Sequence, residues 1–181
     1  TTTGFCDIDF DQWPGFAKMW LVAIMFIGGC AGSTSGGLKA IRVKLVLRNC
    51  VRTLRELVRP RGVFVVKSGG VTIGEEIISR TMIFFAAYAV IFVVATMLVL
   101  LSLDIQGGAN GLDTDSRIAT AFSAVAATLN CVGPGISAVG AVCNYGWMPA
   151  FAKWVLTLCM LIGRLELYSV IVIFLPLIWR R

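Results

Sequence analysis

Glycine-rich turns in apolar sequence are the features of this chain most suited to chemistry, because they expose backbone groups that a helix would hide. Residues 28–37 include five glycines in ten positions. They cannot continue a helix, since each glycine costs about 1 kcal/mol relative to alanine. In a bilayer, broken backbone is tolerated only where protein buries it or where it lines a water-filled path. We interpret residues 28–37 as a loop at a functional cavity, with a flexible linker between two helices as the alternative.

Two other kinds of site are not predicted. A phosphate-binding loop would need GxxxxGK[ST], but Leu38 separates Gly37 from Lys39, and no strand is predicted before the glycines. A zinc site is not expected either, because the chain has no histidine and its six cysteines form no CxxC pair.

A second glycine turn, residues 130–135, follows a short helical pattern at about residues 116–129. That helix, which Asp115 or Ser116 is expected to cap, is too short to cross a membrane. A half-length helix, a glycine turn and a return to the same side predict a re-entrant loop; an extracellular amphipathic helix is the alternative. Backbone carbonyls at such a turn can replace the hydration shell of a monovalent cation.

The composition indicates that these turns are positioned by membrane helices. Of the 181 residues, 57% are hydrophobic and only 14% are charged, and the mean hydropathy is +0.85. This is a membrane composition rather than that of a soluble domain. The net charge of +6 follows membrane topology, so no nucleic-acid partner is expected. No signal peptide is expected from the first residues, and because the sequence does not begin with methionine it is open whether the chain is a fragment.

Charge places the segments on two sides of the membrane. The acidic residues near Asp7, Asp104 and Asp113 are expected outside, and the arginines at the C-terminus inside. A hairpin is predicted around residues 68–70. The strongly basic residues 39–67 are also expected in the cytoplasm, and they include Lys39, Arg42, Lys44, Arg48, Arg52, Arg55, Arg59, Arg61 and Lys67.

An internal repeat of parallel orientation relates the helix after Pro14 to the helix after Pro149, at an offset of 149 − 14 = 135 positions. The identities include Phe16 with Phe151, Lys18 with Lys153 and Gly28 with Gly163; in this register Arg164 lies opposite Gly29. An arginine at mid-membrane costs about 2.5 to 3.5 kcal/mol and needs oxygen partners. We expect Arg164 to donate to backbone oxygens of residues 28–37. The alternative is an Arg164–Glu166 system that only joins helices.

These motifs resemble the Trk/Ktr/HKT superfamily of potassium transporters, most closely the bacterial Trk subunit. The resemblance covers the whole chain and is carried by Thr1-Thr2-Thr3-Gly4-Phe5, the run from Gly28 to Thr34, Gly133-Pro134-Gly135 and Gly163-Arg164-Leu165-Glu166-Leu167. It implies an all-α integral membrane fold with four helix–pore loop–helix repeats of potassium-channel type. Residues 1–58 would hold the end of the third pore loop and a broken transmembrane helix, and 59–79 a cytoplasmic connection. Residues 80–179 would form the fourth repeat, with helices at about 80–103 and 148–179, a pore helix at 116–129 and filter residues 130–135.

The resemblance also implies roles for individual residues. One quarter of an ion selectivity filter would be Thr1, Thr2, Thr3 and Gly4, and another Asn130, Cys131, Val132 and Gly133, with K+ at the backbone carbonyls of Thr2, Thr3, Cys131 and Val132. Arg164 would contact an intramembrane gating loop. That loop would consist of Gly28, Gly29, Cys30, Ala31, Gly32, Ser33, Thr34, Ser35, Gly36 and Gly37.

The implied protein is not an enzyme and has no covalently bound cofactor. It would be a multi-pass protein of the bacterial inner membrane, in contact with lipid. It would work as a homodimer with a cytoplasmic nucleotide-binding regulatory subunit, for which residues 39–67 offer a docking surface.

The chain departs from the family pattern in some respects. Ser35 stands where many relatives continue the glycine run, which would stiffen the loop slightly. The filter residue often used to separate potassium from sodium selectivity is absent, so ion preference is open, as is channel-like versus coupled conduction. A secondary transporter of another cation or small solute, driven by Na+ or H+, is the alternative function, and a purely structural membrane subunit is a third.

Overall fold

The computed structural model describes residues 2–30, 32–33, 35–59, 67–68, 71–105 and 113–165. They are predominantly helical, as the sequence predicts. The helices are α1 (Gly15–Met25), α2 (Ala40–Val58), α3 (Glu75–Ile105), α4 (Thr114–Leu129) and α5 (Ala150–Leu165), with 3-10 turns at Phe10–Gln12 and Ser137–Val139.

A short hairpin qualifies the all-α prediction. Strands β1 (Lys67–Ser68) and β2 (Val71–Thr72) pair antiparallel, with Lys67 opposite Thr72 and Ser68 opposite Val71. This register confirms the hairpin predicted around residues 68–70.

Helix α3 is the one described helix that is long and apolar enough to cross a membrane. Its 31 residues extend about 46 Å, against about 30 Å for the hydrocarbon core. Glu75 and Glu76 lie in its first turn, where the helix dipole favours negative charge. Helix α1 is apolar but shorter, because the glycines that follow it end the helical pattern.

Helix α4 lies at the centre of the described structure, packed between α3 and α5. Ala121, Ala124 and Val125 are completely buried and belong to one cluster with Val99 of α3 and Ala152 of α5. Small side chains allow helix backbones to approach closely, which favours such packing inside a membrane. At 16 residues, or about 24 Å, α4 is shorter than a membrane span, as predicted.

Aromatic side chains join the N-terminal elements to this core. The ring of Phe92 on α3 packs edge-to-face against Phe26 and Phe122, with centroid distances of 5.3 and 5.1 Å. A second buried cluster contains Phe10, Val22, Ala126 and Ile136, and so connects α1 with the end of α4 and the segment after it. Edge-to-face pairs add about 0.5–1.5 kcal/mol beyond their buried area.

The predicted repeat is visible in how α1 and α5 begin and end. Each begins directly after a proline, Pro14 or Pro149. Helix α1 ends at Met25, two residues before the predicted Ile27, whereas α5 continues through Gly163 and Arg164 to Leu165. The two copies of the repeat therefore differ at the position that the sequence predicts: the first helix is broken there and the second continues. The rest of the predicted last helix, and with it Glu166, lies outside the described residues.

The predicted cap of α4 was wrong by two or three residues. Asp113, rather than Asp115 or Ser116, is the N-cap, because its carbonyl accepts the first helical hydrogen bond, from Arg117 N at 2.9 Å. Asp115 lies in the first turn, where its charge still complements the helix dipole.

Candidate functional site

The turn after α4, residues 130–133 (turn B), directs its amide groups back to the helix. Cys131 N donates to Thr128 O at 3.1 Å, Val132 N to Ala127 O at 2.8 Å, and Gly133 N to Ala127 O at 3.4 Å. In a trans peptide the N–H and the preceding C=O point in opposite directions. The carbonyl oxygens of residues 130–132 therefore face away from α4.

Turn B and residues 2–4 (turn A) share an unusual backbone conformation. In turn B, φ is +54° at Cys131 and +107° at Gly133; in turn A, φ is +55° at Thr2 and +78° at Gly4. Both pairs are related by one offset, since 131 − 2 and 133 − 4 each equal 129. The residue between each pair keeps an ordinary negative φ. Alternation of this kind turns successive carbonyls towards one side, which a regular strand cannot do.

The two turns lie against each other. A Cβ atom on Gly4 would collide with the carbonyl oxygen of Val132 and would lie 3.4 Å from Pro134 Cδ, so glycine is required there for space as well as for φ. A cavity of about 420 Å³ opens beside them, lined by Thr2, Thr3, Gly4 and Val132 together with apolar residues of α1. The structure thus brings together residues 2–4 and 132 of the predicted site; Thr1 lies outside the described residues.

Two tyrosines hold turn B from outside it, and the sequence analysis did not identify either. Tyr88 Oη of α3 donates to Asn130 Oδ1 at 2.8 Å, and Tyr145 Oη donates to Gly133 O at 2.8 Å. Burial raises the pKa of Tyr145 to about 12, so this hydroxyl keeps its proton at neutral pH. Tyr88 could have been singled out from the sequence because its hydroxyl lies within an apolar helix. A buried tyrosine hydroxyl requires a hydrogen-bond partner.

The segment of residues 28–37 (the glycine loop) is closed at its base by backbone hydrogen bonds. Gly28 N donates to Leu38 O at 2.8 Å and Ala40 N donates to Gly29 O at 3.2 Å. Across the loop, Gly29 N donates to Ser35 Oγ at 2.8 Å. These bonds join the beginning and the end of the loop. Ala31 and Thr34 lie outside the described residues.

The glycine loop packs directly against turn B. A Cβ atom on Gly36 would lie only 2.6 Å from Cys131 Sγ, and one on Gly37 would collide with Asn130 Oδ1. From α5, a Cβ on Gly163 would collide with Leu129 O and would lie 3.2 Å from Cys131 Sγ. Turn B, the glycine loop and α5 therefore meet at Cys131.

Arg164 follows Gly163 at this meeting point. Its side chain is exposed in the described structure, and it is close enough to Cys131 for an electrostatic interaction. The predicted site residue thus lies beside turn B, which the glycine loop also contacts. The alternative pairing with Glu166 falls outside the described residues.

A charged residue of α2 also contacts α3. Arg52 donates to Glu56 and to Glu75 at 2.7 Å each, which connects α2 to the start of α3. These hydrogen bonds raise the pKa of Arg52 above its ordinary value, with Glu56 the larger cause. The helix also carries Arg42, Lys44, Arg48 and Arg55.

A further residue that sequence reasoning missed is Asp11. Its Oδ1 accepts a hydrogen bond from Ser137 N at 2.9 Å, 126 positions along the chain. In the sequence Asp11 belongs to a short acidic segment, and nothing in the spacing of these residues indicates Ser137 as its partner.

Comparison with known proteins gives one consistent result. A family model described as TrkH, cation transport protein, matches residues 1–180. The Trk system potassium uptake protein TrkH of Halomonas elongata is 40% identical over 181 residues, which is all of this chain and 35% of that protein. The TrkH of Vibrio parahaemolyticus is 43% identical, over 99% of this chain and 34% of that protein, and the TrkG of Escherichia coli is 32% identical over the same shares.

A solved structure shows the same fold. The crystal structure of the potassium transporter TrkH from Vibrio parahaemolyticus matches with a TM-score of 0.83 and 40% identity, covering 99% of this chain and 36% of that one. The chain therefore spans about a third of the length of the relatives that it matches. A family model that matches almost every residue, together with relatives at 40% identity, shows that this chain belongs to the TrkH family of cation transport proteins.

Proposed function

We propose that the chain is part of the pore-forming subunit of a potassium uptake system, in which it conducts K+ inward through a selectivity filter of backbone carbonyls. The observation that carries this proposal is the matching pair of turns A and B. They share an alternating φ pattern and lie against each other. The relatives are named as potassium uptake proteins, which supports K+ as the transported ion and a transport role rather than an enzymatic one.

The filter is assigned to two quarters in this chain, residues 1–4 and 130–133. K+ would be held by the carbonyl oxygens of Thr2, Thr3, Cys131 and Val132, whose dipoles replace water ligands. The amide hydrogen bonds that return to α4 support this arrangement, because they turn the carbonyls of residues 130–132 outward. The C-terminus of α4 adds a partial negative charge beside the turn, which favours a cation.

The gate is assigned to the glycine loop together with Arg164. The loop is closed at its base and packs under turn B at Cys131, so a change in its position would alter the path next to the filter. Arg164 lies beside the same residue and would hold the loop through its backbone oxygens. Free carbonyls of a broken helix are suitable partners for an arginine at mid-membrane depth.

The remaining organisation follows the family. Residues 1–58, 59–79 and 80–179 would be the end of the third repeat, the cytoplasmic connection and the fourth repeat. The subunit would be a homodimer, multi-pass in the bacterial inner membrane. A nucleotide-binding regulatory subunit would dock on the basic residues of α2, where positive charge and the Arg52–Glu75 connection to α3 lie together.

The test replaces the two filter glycines in the complete four-repeat transporter, expressed in cells that lack their own potassium uptake. Gly133→Ser and Gly4→Ser should each lower the K+/Na+ uptake ratio by about tenfold or more, because a side chain opposes the positive φ and, at Gly4, collides with Val132 O. Gly15→Ser is the matched control, since nothing lies within 4 Å of its added atom.

Growth at low potassium and isotope uptake measure the result, with membrane abundance checked for each variant. If Gly133→Ser and Gly4→Ser reach the membrane and keep the wild-type preference for K+, the carbonyl filter is wrong. A wild-type protein that shows no K+ uptake but carries another solute would favour the secondary-transporter alternative.

A further inference from the structure

Tyr88 and Asn130 form a buried polar pair behind turn B. Tyr88 is 6% exposed and Asn130 is 0% exposed. Tyr88 Oη donates to Asn130 Oδ1 at 2.8 Å, and Asn130 Nδ2 donates to Ala126 O at 2.7 Å. Both ends of the amide thus have a partner, and the two hydrogen bonds fix its orientation. The hydroxyl comes from α3, 42 positions away in the sequence.

The ring of Tyr88 is itself held in place. It stacks on Phe84 one turn earlier in α3, with centroids 6.4 Å apart and planes inclined by 25°. The guanidinium of Arg42 lies 4.2 Å from the centre of the Phe84 ring. A hydroxyl on so constrained a ring is a fixed donor, which loses little conformational entropy when it bonds Asn130.

The side chain of Asn130 lies between the filter turn and the glycine loop. Its backbone leads directly into Cys131, and its Oδ1 abuts Gly37, where no Cβ atom would fit. Its peptide carbonyl faces away from α4 together with those of Cys131 and Val132. A rotation of the Asn130 side chain would therefore be transmitted both to the turn and to the loop.

We propose that Tyr88 is a positioning residue for ion selectivity: through its hydrogen bond to the Asn130 side chain it fixes the carbonyls of turn B at the spacing that favours K+ over Na+. This inference rests on the proposed carbonyl filter. Loss of the hydroxyl leaves the buried Asn130 Oδ1 without its donor, and the asparagine then reorients to satisfy it. Discrimination between two ions of the same charge depends on the positions and field of the carbonyl dipoles, so it responds to small shifts.

The test is Tyr88→Phe in the complete transporter, which removes one oxygen and keeps the ring. We expect the K+/Na+ uptake ratio to fall about three- to tenfold, the range that one lost buried hydrogen bond produces. Thr96→Val is the matched control: it removes a hydroxyl from the same helix, where Thr96 Oγ1 bonds only its own helix at Phe92 O, 2.8 Å away. The control should keep the ratio within about twofold, since the lost hydroxyl contacts only the backbone of its own helix and not turn B.

A double-mutant cycle shows whether Tyr88 acts through Asn130. In an Asn130→Ala background, Tyr88→Phe should change the ratio by less than about twofold, because the partner is already gone. If Tyr88→Phe does not accumulate in the membrane, Asn130→Ala alone supplies the comparison, since it removes the acceptor and keeps the tyrosine.

Each result either supports or overturns the role of Tyr88. A wild-type ratio in Tyr88→Phe overturns the inference, as does an equal loss of K+ and Na+ uptake, which would indicate a structural role only. An undiminished effect in the Asn130→Ala background overturns the route through Asn130. Gly133→Ser is measured in parallel: if that variant also keeps its preference, the filter proposal fails, whereas a loss in Gly133→Ser with none in Tyr88→Phe removes only the role of Tyr88.

Discussion

Ser35 closes the glycine loop with one side-chain hydroxyl. Its Oγ accepts from Gly29 N at 2.8 Å, while its own amide donates to Ser33 Oγ at 3.3 Å. A glycine at this position would leave the Gly29 amide to find another partner. If the loop is the gate, the hydroxyl stabilises its closed shape.

We therefore predict that Ser35→Ala increases K+ flux through the complete transporter by about two- to tenfold, the factor that corresponds to one net hydrogen bond. Isotope uptake in cells without other potassium uptake measures the change. Ser35→Thr, which keeps a hydroxyl, should conduct as wild type. An unchanged or reduced flux in Ser35→Ala would contradict the gating role of this bond.

At the scale of single residues, the sequence predicts backbone-driven features and misses side-chain partners. Gly4 and Gly133 could be placed at turns because glycine is the residue that accepts their positive φ. The pairing of Tyr88 with Asn130 could not be predicted, because it depends on how α3 packs beside α4. A tyrosine in an apolar helix indicates that a partner exists, but not which residue it is.

Helix α4 is the element on which the site depends, since turn B continues directly from its last residue. Its inward face is made of small residues, and Ala124 is completely buried in the cluster that joins α3 and α5. Inserting a larger side chain there would push α4 away from its neighbours. Overpacking of a close-packed core costs about 1–3 kcal/mol.

Ala124→Leu should therefore lower the melting temperature of the purified transporter by several degrees, and about 1–3 kcal/mol of stability should be lost. Ala89→Leu is the matched control, because the same change is made at an exposed position of α3. Thermal unfolding followed by tryptophan fluorescence in detergent compares the two. Equal melting temperatures for both variants would contradict the close packing around α4.

Among the secondary-structure elements, hydropathy together with the positions of glycine and proline was sufficient to predict most of the fold. The apolar run of α3, the prolines before α1 and α5, and the strand pattern of β1 and β2 each produced the predicted element. The boundary of α4 was wrong because its N-cap, Asp113, makes no side-chain hydrogen bond with the helix, so capping preference carried no information there. In the contact between the glycine loop and turn B, the backbone of Gly36 and Gly37 meets the side chains of Cys131 and Asn130, which leaves no hydrophobic pattern in the sequence.

At the scale of the whole molecule, one carboxylate connects the N-terminal part of the chain to the C-terminal part. Asp11 Oδ1 accepts from Ser137 N at 2.9 Å and lies 3.8 Å from Lys18 Nζ. Ser137 has φ +64°, and Asp11 Oδ2 occupies the space where a side chain on Gly140 would be. The carboxylate thus fixes the segment that follows turn B against the segment that follows turn A.

Asp11→Ala should lower the stability of the complete transporter by about 1–2 kcal/mol, because a charge-assisted hydrogen bond is lost and the Ser137 amide keeps no equivalent acceptor. Asp11→Asn should lose less, since the amide oxygen can still accept from Ser137 N. Asp7→Ala is the control, an exposed aspartate four positions earlier. Melting temperatures rank the variants by stability. The K+/Na+ uptake ratio shows whether the relative position of turns A and B has changed. If Asp11→Ala melts with Asp7→Ala and keeps the wild-type ratio, the apolar and backbone contacts between the two parts hold them together without the carboxylate, which then has no part in aligning the filter.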